Sequence, residues 1–325
     1  MRIVCPDGSI EAREFLSAEL KAKLQQLGSL TWFDGRPETS ESYLERVRDA
    51  EGIMLGWNIP AEVLDSCSRL RIISYMGIDP RKYIDLSLAT RKGIAVTNTP
   101  HYGDHTVAEH AMALILCCAK RITQLNSLVH QGVWEQGGYN MELWGKTLGL
   151  VGLGGIGAEV ARLAQAFGMQ VLCWTHHPTV ERAKRYGVQF VTLKELFQQA
   201  DVVTLHMRHT AETERLITRE LLELLKPGAI FVNTARGELV DNQALAKLLK
   251  AGKLGAVGLD VFDAEPIEPD SPFLGTENVV LTPHLAYNTR EANANILNIS
   301  VDNLVAFFSG FPQNVVNAEV LNKNR

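Results

Sequence analysis

Short, nearly unbroken runs of β-branched and aliphatic residues recur along this chain, each followed by a stretch of helical periodicity. They fall at 3–4, 52–55, 70–76 and 93–96, then at 148–151, 169–174, 201–206, 230–233, 256–259 and 279–281. A run with no polar alternation suits a strand buried on both faces, which is the condition of a parallel sheet covered by helices. Strand and helix alternating in this way build right-handed βαβ units, so the fold class is α/β. With 325 residues, 46% of them hydrophobic, the chain exceeds the roughly 250–300 residues at which one core divides. Two lobes are therefore expected, with hinges near Pro100 and Ala286.

Between the apolar runs, helices are predicted over 11–27, 106–121, 158–167, 193–199, 218–225 and 293–309. Leu16, Leu20, Leu24 and Leu27 keep helical spacing and form a stripe to bury. Thr192 with Glu195 reads as a capping box, and Pro227-Gly228 stops a helix. The segment 311–316 is expected to return to the first lobe. The 106–121 helix is apolar on most of its circumference and must be covered by the core or by another subunit. A homodimer is the expected assembly, and Trp134 and Trp144, in the glycine-rich stretch 132–145, fit an interface better than free surface.

The formal net charge of -5 and the lack of a long Lys/Arg stripe exclude a nucleic-acid partner. The longest apolar stretch, 111–119, is far short of the roughly 20 residues that span a bilayer. The opening run 1–5 is too short for a secretory signal, so a cytoplasmic location is expected. Cys5, Cys67, Cys117, Cys118 and Cys173 are odd in number and set among apolar neighbours, which fits reduced core thiols. No Cys/His spacing suits zinc, and no metal is expected.

Gly152, Gly154 and Gly157 form a Gly-x-Gly-x-x-Gly loop between a strand candidate and a helix candidate. In that context the first glycine allows a tight turn, the second lets backbone N–H groups approach a pyrophosphate, and the third permits close helix packing. A helix starting near Ile156 would aim its positive end at the phosphates. An acidic residue is expected at the end of the next strand to hold the ribose 2′-OH of NAD. The chain instead reads Cys173-Trp174-Thr175-His176-His177, which permits NADP as well as NAD.

Arg236, Glu265 and His284 each follow an apolar run. If those runs are neighbouring parallel strands, a guanidinium, a carboxylate and an imidazole emerge at one sheet edge, where open α/β sheets bind ligands. Oxidising a hydroxy acid needs a base that titrates near neutrality, which is His284. Glu265 would orient it and favour its protonated form. A substrate carboxylate and its carbonyl suit a planar, permanently charged fork, which Arg236 offers.

The runs Val151-Gly-Leu-Gly-Gly-Ile-Gly157, Asn233-Thr-Ala-Arg-Gly-Glu-Leu-Val-Asp241, Gly258-Leu-Asp-Val-Phe-Asp-Ala-Glu-Pro266, Thr282-Pro-His-Leu-Ala286 and Thr106-Val-Ala-Glu-His110 together resemble the D-isomer-specific 2-hydroxyacid dehydrogenase family. The resemblance implies two lobes. Residues 101–286 would be a doubly wound Rossmann-type dinucleotide-binding domain and build the dimer. Residues 1–100 with 287–325 would be a smaller flavodoxin-like substrate domain. It implies catalytic roles for Arg236, Glu265 and His284. The cofactor contacts it implies are Thr106, Gly152, Gly154, Gly155, Ile156, Gly157, Thr175, His176, His206, Met207, Thr213, Thr234, Ala235, Arg236, Asp260 and His284. The substrate would be a 2-hydroxy or 2-keto acid held by Met76, Gly77, Ile78 and Arg236.

The chain departs from the family pattern in four places. Asp79 follows Gly77-Ile78, either drawing a substrate with an added amine or hydroxyl or serving as a turn residue that points away. Tyr75 stands where phosphoglycerate-oxidising members tend to carry a basic residue, which disfavours a phosphorylated substrate. Arg208 replaces a common proline and is an extra candidate cofactor contact. The end at Arg325 leaves no room for an appended regulatory domain. Two other readings stay open, a dinucleotide-sensing corepressor-like binding protein and a member oxidising a donor such as phosphite, while Glu265 argues against formate.

Overall fold

The computed structural model describes residues 1–134 and 136–322, so the expectation attached to Arg325 lies outside the described residues. The chain divides into two compact units, Met1–Tyr102 with Asn288–Arg325, and Gly103–Tyr287.

The first unit holds a five-stranded parallel sheet in the order β2-β1-β3-β4-β5, formed by β1 (Arg2–Gly8), β2 (Ser29–Asp34), β3 (Gly52–Leu55), β4 (Ile72–Tyr75) and β5 (Ala95–Thr97). This is the flavodoxin-like order. One face is covered by helices Ala18–Leu27 and Arg290–Phe308, burying Ile3, Met54 and Ile72 with Leu20, Leu24, Leu297 and Leu304. The single helix expected over 11–27 is two helices, Ile10–Glu14 and Ala18–Leu27, because the Ser17 hydroxyl accepts the Leu20 N–H and opens a new N-terminus. The tail returns to this sheet as expected. Val315 bridges Thr97, and the Asn317 side chain accepts from Val96 N–H at 2.8 Å while donating to the Ile94 carbonyl at 2.9 Å.

The second unit holds a seven-stranded parallel sheet, β12-β11-β10-β9-β6-β7-β8. Its strands are β6 (Thr147–Val151), β7 (Gln170–Trp174), β8 (Gln189–Phe190), β9 (Val202–Leu205), β10 (Ala229–Asn233), β11 (Leu254–Leu259) and β12 (Val279–Leu281). The chain winds outward one way from β6 through β8, then returns to β9 and winds the other way, so the strand order reverses between β6 and β9. Ligands bind at such a switch point, outside the carboxyl ends of the strands. One buried core lies on each face of the sheet.

Helix Asp104–Lys120 packs on β10 and β11 and against helix Gly155–Ala166, burying Ala108, Ala111, Leu114, Ile115 and Cys118. Its apolar surface is thus largely covered within its own unit, and a second subunit is not needed for that. Uncovered apolar side chains lie just beyond it, on helix Ile122–His130 and the following stretch: Ile122, Val129, Val133, Trp134, Tyr139 and Trp144. No single helix among the described residues is long and apolar enough to cross a membrane.

Candidate active site

β6 runs directly into the glycine loop. Gly152 sits at φ +101°, a left-handed conformation that disfavours any side chain. A Cβ there would also lie 2.4 Å from the His206 carbonyl oxygen, and one on Gly157 would lie 2.2 Å from the Gly152 carbonyl oxygen. Gly154, the N-cap of helix Gly155–Ala166, has open space where a Cβ would be. The loop is therefore closed against the protein at Gly152 and Gly157 and open at Gly154, while the Asp104 carboxylate lies against Gly155, and helix N–H groups stand behind it. His206 braces it from β9. Burial pushes its imidazole down to about 3, leaving it neutral and bonded through Nε2 to Thr204 Oγ1 at 2.9 Å. Next to it, Met207 is half-buried and Arg208 exposed. The Thr213 hydroxyl accepts from Thr210 N–H at 2.8 Å and donates to the Arg208 carbonyl at 2.8 Å, so it shapes this loop.

At the end of β7, Thr175 is half-buried and His176 exposed, the latter edge-on to Trp174. Arg182, which the sequence reading passed over, donates to the carbonyls of His177 (2.6 Å) and Leu153. Beyond β10, Asn233 accepts the Ala235 N–H and donates to the Arg236 carbonyl, pinning the turn that carries Thr234, Ala235 and Arg236. Thr234 Oγ1 is buried with no hydrogen-bond partner among the described residues, and a buried hydroxyl in that state calls for a ligand or water. This orphan and the open glycine loop fit a dinucleotide. Thr106 and Ile156 are half-buried on helices Asp104–Lys120 and Gly155–Ala166.

β10, β11 and β12 are adjacent and parallel, so the residues after them emerge together. His284 Nδ1 lies 2.6 Å from Glu265 Oε2, and Glu265 Oε1 accepts the Phe262 N–H at 3.1 Å. Burial pushes the Glu265 carboxyl up. The hydrogen bonds from His284 and Phe262 and the charges of His284 and Arg236 outweigh it, so the net value falls below the ordinary 4.5. An ionised Glu265 can only accept, so the Nδ1 proton stays on the ring and Nε2 is the nitrogen left for exchange. Arg236 spends one N–H on the Ala235 carbonyl at 2.6 Å. Its other N–H groups take no acceptor among the described residues. His284 itself has φ 51°, a sparsely populated region that persists where the surroundings hold it.

Those surroundings centre on Asp260. Wholly buried, its carboxylate accepts Thr282 Oγ1–H at 2.6 Å, Leu285 N–H at 3.0 Å and Ala286 N–H at 2.9 Å, while its carbonyl accepts the His284 N–H at 2.8 Å. Since Thr282 gives its one hydrogen to Asp260, His110 Nε2, 3.0 Å from Thr282 Oγ1, must donate to it. Asp260 therefore holds the His284 loop from beneath, whatever it offers a cofactor. His110 and Thr282 stood in the quoted runs, but nothing in their spacing showed this connection.

In the first unit, β4 leads into Met76-Gly77-Ile78. The carbonyls of Gly77 and Ile78 are taken by Thr99 N–H and the Asn98 amide, while their N–H groups donate to no acceptor among the described residues. Asp79 caps the turn Pro80–Lys82 and is gripped by Arg81 at 2.8 and 2.6 Å, which supports the turn-residue alternative. Tyr75 is buried and stacked on Tyr83, 5.6 Å between centroids.

The sequence model of the D-isomer specific 2-hydroxyacid dehydrogenase NAD-binding domain matches residues 112–286. A glyoxylate reductase from Korarchaeum cryptofilum is 40% identical over 298 residues, covering 89% of this chain and 90% of its own. Among solved structures, D-lactate dehydrogenase from Aquifex aeolicus, complexed with NAD and lactic acid, superposes with a TM-score of 0.82 at 31% identity, covering 98% of this chain and 99% of its own. An acyclic imino acid reductase, solved with NADPH and D-Arg, gives 0.85 at 30% identity, covering 97% and 100%. With the glycine loop and the strand-edge residues in place, this chain belongs to the D-isomer-specific 2-hydroxyacid dehydrogenase family and is an NAD(P)-dependent oxidoreductase of 2-hydroxy acids.

Proposed function

We propose that this enzyme reduces a small, unphosphorylated 2-keto acid to the D-2-hydroxy acid, and runs the reverse oxidation, with His284 as acid and base. The observation that carries this reading is the 2.6 Å contact between His284 Nδ1 and an ionised Glu265 beside the charge of Arg236. A nicotinamide dinucleotide bound along the glycine loop supplies or accepts the hydride. His284 gives its Nε2 proton to the carbonyl oxygen as C2 is reduced, and takes it back in oxidation. Glu265 stays charged and stabilises the imidazolium. Arg236 binds the substrate carboxylate and polarises the carbonyl through its uncommitted N–H groups. Thr234 Oγ1 and the backbone around Ala235 are the candidates for the nicotinamide side of the cofactor.

Relatives named glyoxylate reductase and hydroxypyruvate reductase support the choice of small keto acids. The test is a panel of glyoxylate, hydroxypyruvate, pyruvate and branched keto acids with NADH and NADPH, following absorbance of the reduced cofactor. Turnover with at least one member is expected. H284A should lower kcat by roughly 10²–10⁴-fold, the range for a lost general acid, with dinucleotide affinity retained. Unchanged turnover in H284A would overturn the assignment.

The exposed side chains Ile122, Val133, Trp134 (80% exposed) and Trp144 (74%) support a homodimer formed on the second unit. Light scattering after size exclusion should give twice the chain mass; a monomer at micromolar concentration would refute this.

A further inference from the structure

The corner at the end of β7 holds a cation where an NAD-selective site would hold an anion. Thr175, His176 and His177 occupy the turn, with no carboxylate among them. Arg182 reaches into it from helix Val180–Tyr186. One of its terminal nitrogens donates to the His177 carbonyl at 2.6 Å and the other to the Leu153 carbonyl, between the first two glycines of the loop. The guanidinium thus ties the turn that would face the ribose to the loop that would face the pyrophosphate. Both anchors are neutral carbonyls, and among the described residues no carboxylate pairs with Arg182. A guanidinium has five N–H donors. Two are used here, so three remain for an acceptor. A half-buried cation with fixed position, spare donors and no counter-charge is matched by an anion that arrives with the ligand.

We propose that Arg182 binds the 2′-phosphate of NADPH and makes NADPH the preferred cofactor, an inference that rests on the reading of the second unit as a dinucleotide-binding domain. Thr175 contributes by leaving out the carboxylate that would repel a 2′-phosphate. His177 contributes its backbone carbonyl, which aims the guanidinium. Arg182 is a specificity residue and takes no part in hydride or proton transfer.

The test is direct binding, by calorimetry and by quenching of tryptophan fluorescence, of NADPH, NADH, 2′,5′-ADP and 5′-ADP to the wild-type protein and to R182Q. Wild type should bind NADPH at least tenfold tighter than NADH, and 2′,5′-ADP tighter than 5′-ADP. R182Q should lose about 10- to 100-fold for the two 2′-phosphate ligands, the range for lost charge-assisted contacts, with affinity for NADH and 5′-ADP within about threefold. Equal losses for both classes would show that Arg182 only braces the loop, and would overturn the proposal. A wild type that prefers NADH would also overturn it, leaving the dehydrogenase reading intact. A wild type that binds none of the four would overturn both. T175D leaves Arg182 in place but sets a carboxylate at the end of β7, where it would hold a ribose 2′-OH and repel a 2′-phosphate; it should reverse the preference toward NADH, and an unchanged preference would count as refutation.

Discussion

Replacing Asp260 by Asn keeps the size of a wholly buried side chain while removing its charge and one of its acceptors. The carboxylate takes three hydrogen bonds, two on Oδ1 (Thr282 and Leu285) and one on Oδ2 (Ala286). If the amide oxygen occupies the Oδ1 position, the Thr282 and Leu285 bonds survive as neutral ones and the NH₂ group meets the Ala286 N–H, donor against donor. A buried donor left unpaired costs about 1–3 kcal/mol, and two bonds losing charge assistance add roughly 1 kcal/mol together. Turning the amide over would strand two donors instead. D260N should therefore lose about 2–4 kcal/mol. For a unit of 185 residues, counted from Gly103 to Tyr287, that corresponds to a melting midpoint roughly 5–15 °C lower. The same bonds hold the loop that carries His284, so kcat should fall about tenfold or more. Scanning calorimetry and steady-state kinetics on the full chain measure both. A midpoint within about 1 °C of wild type, together with unchanged kcat, would show that Asp260 does not hold this loop.

Two further variants have defined outcomes. E265Q leaves a neutral acceptor on His284 Nδ1, and a charge-assisted bond reduced to a neutral one should lower kcat by roughly tenfold. Because the Glu265 carboxyl lies below its ordinary value in the folded protein, its stabilising contribution is complete above pH 4.5 and is lost as pH falls through the folded value. The stability gap between wild type and E265Q, followed by denaturant titration from pH 7 to pH 3, should close at the acid end; a gap that widens there would contradict the sign. G157A sets a Cβ 2.2 Å from the Gly152 carbonyl oxygen. The rigid backbone there predicts a loss of about 1–3 kcal/mol and dinucleotide binding weaker by tenfold or more, read by calorimetry.

Ten of the twelve strands among the described residues were legible because strands buried on both faces of a parallel sheet leave apolar runs; the edge strands β2 and β8, which are not buried on both faces, left none. All three strands before the site residues stand within two residues of their expected positions, and the helix after the glycine loop within three. The break at Ser17 was not legible, since the leucine stripe runs through it and only a side-chain cap interrupts the backbone. Helix Ile122–His130 was missed for a related reason: Arg121 turns the chain in a left-handed conformation between two helices whose composition hardly changes. The motif residues were visible as chemistry but not as connections. His110 lies 172 positions from Thr282, and Arg182 stands outside every motif, where an arginine on a helix looks like solvated surface.

The order of apolar runs, the glycine spacing and the three residues following successive strands were determined by the sequence alone, because each rests on local stereochemistry or on a periodicity of a few residues. Only the tertiary structure brought Glu265 to 2.6 Å from His284, buried Asp260 beneath that loop, covered helix Asp104–Lys120 within its own unit and left Arg182 between two carbonyls with no counter-charge among the described residues. Those facts depend on which distant segments share a sheet edge. They are set by hydrogen bonds that span 19 residues at His284–Glu265, 22 to 26 at Asp260 and 29 at Arg182–Leu153, and by packing of helix Asp104–Lys120 on strands more distant still, so no short window of the chain records them.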